Sequence, residues 1–252
     1  MAREPNSARR NFIHSSMIVG TGLILGGCGG SSTTLNDETA KESPGKKDAE
    51  QPAEVTASED LMREHGILRR ALLVYTEIVP KLRSNPGVVP PDTLERTAKL
   101  FRAFGEDYHE SKLEEAYIFP AVRQAGGPAA GLPDILVAQH QRGRQITDYI
   151  LAVTQGGKIG ATNAAGLART LESFVLMYRN HAAREDTIVF PVWKQTLSVE
   201  QYDELGDKFE EIEQQTFGTD GFDDAERQMN EIEVSLGLSD LAQFTAPPPP
   251  SQ

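Results

Sequence analysis

The sequence predicts an all-α protein: an up-down four-helix bundle with two extra C-terminal helices. Three observations carry that expectation. From Ser58 to about Gly237 the apolar residues recur at spacings of three and four, and no stretch shows the alternation of a half-buried strand. The turn signals SNPG, AGGPAAG and QGGKIG cut residues 58–196 into four long segments. The connections between those segments are short, which makes successive helices antiparallel neighbours.

The first helix is predicted from about residue 58 to 84, with Ser58 as N-cap, acids in its first turn and SNPG closing it. Pro91 and Asp92 open a second, which continues to about Gln124. Pro133 sits at the start of a third that ends at QGGKIG, and the fourth runs from about 162 to 196. On the fourth, Leu167, Leu171, Phe174, Tyr178, His181, Glu185, Ile188 and Val192 follow at alternating steps of four and three, the seam a helix turns toward a core. Residues 197–238 predict two further helices. Their stripe of Phe222, Ala225, Met229, Ile232 and Leu236 is expected to pack on the outside of the bundle, and residues 239–252 form a tail.

The start of the chain reads differently. Residues 1–27 combine a basic stretch, an apolar run too short to span a bilayer, and small residues, the order of an export signal. SARRNFI resembles a twin-arginine motif, with Arg9 and Arg10 as the pair. LGGC, ending at Cys28, resembles a lipobox, whose cysteine is lipidated and becomes the new N-terminus. Residues 28–57 lack aromatics and nearly lack aliphatics, so they read as a disordered tether between a lipid and a domain. The chain is thus expected to be exported and lipid-anchored to the periplasmic or extracellular face of a bacterial membrane. With Cys28 the sole cysteine, disulfides are excluded.

Charge excludes one class of partner. The 252-residue chain carries −12, and loss of residues 1–27 removes three arginines and one glutamate, leaving −14. Such a surface repels nucleic acid, whose binding rests on phosphate contacts from Lys and Arg.

Outside the export signal the chain has four histidines, one on each predicted bundle helix: His65, His109, His140 and His181. A buried ionised carboxylate such as Glu185 is costly unless it is paired or bound to a metal. The pattern also repeats. His65 precedes His109 by 44 residues and His140 precedes His181 by 41, and the later helix of each pair ends in an acidic pair followed by Phe-Pro. Two such hairpins folded together bring four histidines and at least two carboxylates to one level of a bundle, which is a two-metal site. Histidine with carboxylate and no thiolate suits iron or manganese better than a closed zinc site. The second ExxH of ferritin-like bundles and the second histidine of HExxH are both missing.

EH at 64–65, HESKLEEAYIFP from 109, the solitary histidine of AQHQRGR and HAAREDTIVFP from 181 resemble the hemerythrin-like (HHE cation-binding) domains, over roughly residues 58–195. The resemblance implies a four-helix bundle around a non-haem di-iron centre. His65, His109, His140 and His181 would be terminal ligands, with Glu114 and Glu185 as bridges. Oxygen-carrying members have a second histidine a turn along the third helix, where this chain has Arg144, so reversible oxygen carriage is not expected.

What the resemblance implies instead is two iron ions, with manganese as the alternative metal. The protein would bind or sense dioxygen, peroxide or nitric oxide, or sense or buffer iron. An enzyme dismutating peroxide and a structural bundle without metal are the competing readings; no protein partner is specified.

The two repeats differ by one place. His181 and Glu185 are four apart, but His109 and Glu114 are five apart, and at about 100° per residue that puts them about 140° apart. Either Glu110 takes the histidine's place or a widened π-turn brings both into line. The expectation is a bulge between 109 and 114, with His109 and Glu110 both within reach of the metals.

Overall fold

A computed structural model describes residues 55–250; Arg9, Arg10, Cys28 and most of the expected tether lie outside them. The described residues are helical, with no strand among them. The first helix, α1 (Ala57–Ser84), is capped by Thr56 rather than Ser58. The Glu59 backbone N–H donates to Thr56 Oγ1 at 3.4 Å while Thr56 N–H donates to the Glu59 carboxylate at 2.8 Å, the reciprocal capping box. Ser58 gives its own N–H to the Tyr202 hydroxyl.

The second helix is continuous but changes pitch twice, from α2 (Pro91–Leu100) through π1 (Phe101–Ile118) to α3 (Phe119–Ala125). α4 (Leu132–Thr154) follows. The fourth runs through α5 (Ala161–Arg184), π2 (Glu185–Val189) and α6 (Phe190–Gln195). Both π stretches end in the same way. Phe119 N–H bonds the Glu114 carbonyl and Phe190 N–H bonds the Glu185 carbonyl, each five residues back. A proline comes next in both, Pro120 and Pro191. Its ring crowds the preceding α-turn and it has no N–H to give, so a wider turn just ahead accommodates it.

The wider turn moves the core face by one residue. The expected seam through Ile188 and Val192 is displaced: Ile188 is 39% exposed, and Val189 and Trp193 are fully buried in its stead.

α1 packs along α5 and α2 along α4. On one side of the histidines lies an aromatic layer, with Phe101 edge-on to Phe174 at 5.0 Å and to Tyr178 at 4.9 Å. On the other side Phe190 stacks on His65 and Phe119 on His140, at 5.4 and 5.5 Å. Each of these phenylalanines comes from the opposite hairpin to the histidine it covers.

α7 (Val199–Phe217) and α8 (Gly221–Leu236) lie outside the bundle as expected, α8 against α1 and α2, α7 against α1 and π1. Ala225, Met229 and Ile232 are buried and Phe222 and Leu236 partly so. Between the helices Gly218 adopts φ 74°, the left-handed conformation that ends a helix cheaply only at glycine. Among the described residues no helix is long and apolar enough to cross a membrane.

Candidate metal centre

The four histidines meet as two pairs. His65 Nε2 and His109 Nε2 lie 3.1 Å apart, and His140 Nε2 and His181 Nε2 lie 3.0 Å apart. Two carboxylates span the pairs. Glu114 sets Oε1 3.3 Å from His109 Nε2 and Oε2 3.4 Å from His140 Nε2. Glu185 sets Oε2 3.5 Å from His65 Nε2 and Oε1 3.0 Å from His181 Nε2. All six residues are buried. His109 reaches this level because π1 brings residues five apart onto one face, so the one-place slip between the repeats is absorbed by backbone pitch.

Each imidazole is held from behind, through Nδ1. His109 bonds Glu64 at 2.5 Å, His181 bonds Gln139 Oε1 at 2.9 Å, His140 bonds Glu115 at 2.8 Å and His65 bonds Asp186 at 2.7 Å. An Nδ1–H donated to these oxygens leaves every Nε2 lone pair turned inward, the arrangement that prepares histidine for a metal. The pattern follows the repeat. The residue before the first histidine of each hairpin (Glu64, Gln139) backs the second histidine of the same hairpin. The residue after each spanning glutamate (Glu115, Asp186) backs a histidine of the other hairpin. The arginine four after each first histidine clamps that crossing acid: Arg144 bonds Glu115 at 2.9 Å, and Arg69 bonds Asp186.

The cluster fits a pair of ions. Two ligands at right angles, each about 2.1 Å from an ion, lie about 3.0 Å apart, the separation found within both histidine pairs. Both oxygens of Glu114 and both of Glu185 are buried and receive no hydrogen bond. A carboxylate with all its lone pairs orphaned is strongly disfavoured in an interior unless a cation takes them.

The imidazoles respond to the same crowding. Burial disfavours the cation of His140, but Glu110, Glu114 and Glu115 outweigh it and push its pKa up to about 10. Burial opposes the charge on His109 too, and Glu114 and Glu64 carry it well above the usual histidine range. At these two rings the surrounding carboxylates favour the charged imidazole.

Glu110 takes a neighbouring position. It is buried and lines a small cavity together with His65, His109, His181, Glu114 and Glu185. Its Oε1 accepts the Tyr178 hydroxyl at 2.8 Å, and its Oε2 faces Arg144 at 3.4 Å and His140 Nδ1 at 3.9 Å. The cavity, about 10 Å³ and so room for one water-sized molecule, opens between α1 and α5 past Leu68, Arg69, Leu72 and Ala182.

The sequence reading passed over the four Nδ1 partners, the two arginine clamps and Tyr178. Their signal was adjacency: Glu64, Gln139, Glu115 and Asp186 each neighbour an expected ligand in the chain.

Residues 56–193 match the hemerythrin HHE cation binding domain family. Over 248 residues the chain is 38% identical to uncharacterized proteins of Mycobacterium bovis and Mycobacterium tuberculosis, covering 97% of this chain and 94% of each relative. No solved structure matches.

Proposed function

The chain belongs to the hemerythrin HHE cation-binding family, and from that premise we propose that His65, His109, His140, His181, Glu114 and Glu185 hold two iron ions, with manganese as the alternative. The observation that carries this is the pairing of four Nε2 atoms around two carboxylates whose oxygens are otherwise orphaned. A purely structural bundle would have only the neighbouring imidazoles to offset those buried oxygens. Glu110 stands beside the pair as a third carboxylate.

When bound, the ions supply Lewis acidity and one-electron chemistry toward a small molecule. The protein residues do the rest. Asp186, Glu64, Glu115 and Gln139 fix the imidazoles, and Leu68, Leu72 and Ala182 flank a small cavity that suits a small guest such as dioxygen, peroxide or nitric oxide. The function is to bind or sense such a molecule. Arg9, Arg10 and Cys28 support an exported, lipid-anchored location.

Metal analysis of the full chain is expected to give two irons per chain, with the absorption of an oxo-bridged ferric pair. A protein that emerges iron-free and refuses iron on reconstitution would end this reading. Rapid peroxide turnover, lost in Glu185→Ala, would shift it to an enzyme. Fatty-acid labelling that disappears in Cys28→Ala tests the anchor.

A further inference from the structure

The cavity beside the paired histidines is lined by a group that neither holds an imidazole nor spans the two pairs. Glu110 is 1% exposed. One oxygen is occupied by the Tyr178 hydroxyl, and the other, Oε2, is buried without a hydrogen-bond partner. Tyr178 can stand there because α4 has a notch. A Cβ on Gly143 would lie 2.0 Å from the Tyr178 hydroxyl, a distance no real side chain tolerates, so only glycine at 143 lets the phenol reach this position.

The charge of Glu110 is only partly offset. Its nearest cation, Arg144, is 3.4 Å away, and that guanidinium is closer to Glu115 at 2.9 Å and also bonds Ser111 Oγ at 2.7 Å. The arginine that lines the cavity, Arg69, is committed to Asp186. Two carboxylates thus share Arg144, and Glu110 lines the cavity with a charge that this arginine only partly offsets. In a low-dielectric interior such a charge acts strongly over several ångströms.

We propose that Tyr178, seated in the Gly143 notch, is a positioning residue that aims Glu110 at the cavity, and that Glu110 selects the guest by charge: it repels anions and favours a neutral molecule able to donate a hydrogen bond. Hydrogen peroxide fits that description; azide and other small anions do not. This rests on the di-iron reading above and deepens it, naming the class of guest.

Azide binding tests it on the iron-loaded, oxidised full chain, followed by absorption titration with iron counted in the same samples. Glu110→Gln is expected to keep two irons and to bind azide about tenfold more tightly, since an opposing charge has been neutralised at unchanged size. Tyr178→Phe and Gly143→Ala, which release or displace Glu110, should move azide affinity the same way by a smaller factor while keeping the iron. Because Gly143→Ala is also a packing change, Tyr178→Phe decides if it fails to fold. Unchanged azide affinity in Glu110→Gln, or loss of iron from it, overturns the proposal, the second outcome making Glu110 a metal ligand. A wild-type chain that takes up no iron fails the di-iron reading and removes the premise.

Discussion

Glu64 adjoins His65 in the chain, yet its carboxylate serves His109, accepting the Nδ1 proton across 2.5 Å. In the other hairpin the same position holds Gln139, which serves His181 at 2.9 Å. The two halves of the site are alike in every backing bond but this one, where an acid on one side faces a neutral amide on the other. Glu64→Gln should therefore make the halves equivalent: the amide keeps an acceptor for Nδ1, as Gln139 does, but the charge is gone, so metal retention should weaken by less than the about 10- to 100-fold cost of losing such a partner outright. Competition against a chelator measures it, and an unchanged affinity would show that the Glu64 charge is not felt by the ions.

Glu185 offers one oxygen to each histidine pair. Glu185→Ala should take iron from two per chain to below one while the far-ultraviolet circular dichroism stays helical. The metal-free variant should melt a few degrees lower than metal-free wild type, because His65 and His181 lose a buried partner and a cavity is left. Metal analysis and thermal melts check both halves of the prediction.

The metal-free protein should have a stability optimum on the acid side of neutrality. His140 has a folded pKa near 10 against about 6.5 unfolded, so its stabilising contribution is full below pH 6.5 and is lost as the pH rises through 10. For Glu114, burial works against ionisation, but His109 and His140 win and hold it well below the usual carboxylate range. Its contribution is present above pH 4.5 and fades as the pH falls below that. Melting temperature against pH should show this dome, and iron loading should flatten its alkaline side because the ions displace the imidazole protons. Proton release on metal uptake near pH 7, read with an indicator dye, follows from the same competition.

Glu213 on α7 is a buried acid away from the paired histidines. Burial, and secondarily the nearby Glu64 carboxylate, push its pKa up to about 8. The folded state keeps a proton that the unfolded chain gives up above about pH 4.5, so stability declines from pH 4.5 to 8 and stays lower beyond. Glu213→Gln keeps the acceptor for the Phe222 backbone N–H, 2.7 Å away, and removes the charge. At pH 9 the variant should melt several degrees above wild type, with little difference at pH 5.

The helices and the paired-histidine core were legible because their signals are local: apolar period, proline and glycine punctuation, and histidines at matching places in two hairpins. The widened turn before Glu114 was legible as well, since residues five apart on an α-helix cannot share a face. Its counterpart after Glu185 was not, because His181 and Glu185 are spaced as an α-helix allows. The proline at 191 carried the information, and missing it put Ile188 and Val192 in the core where Val189 and Trp193 belong. The cap was misplaced by two residues because the Thr56 and Glu59 pairing outranks a lone serine. Which acid backs which imidazole could not be read at all. Glu115 and Asp186 point across to the other hairpin, and that depends on how helices are set against one another rather than on any spacing within one.

That crossing has a kinetic consequence. Glu115 and Phe119 reach from the first hairpin to His140, and Asp186 and Phe190 reach from the second to His65. Neither histidine pair draws all its backing and covering groups from one half alone. For ions held there, escape is expected to follow the opening of the bundle. Metal bound in such a site is expected to stay through dilution and brief scarcity, and to leave when the two hairpins come apart.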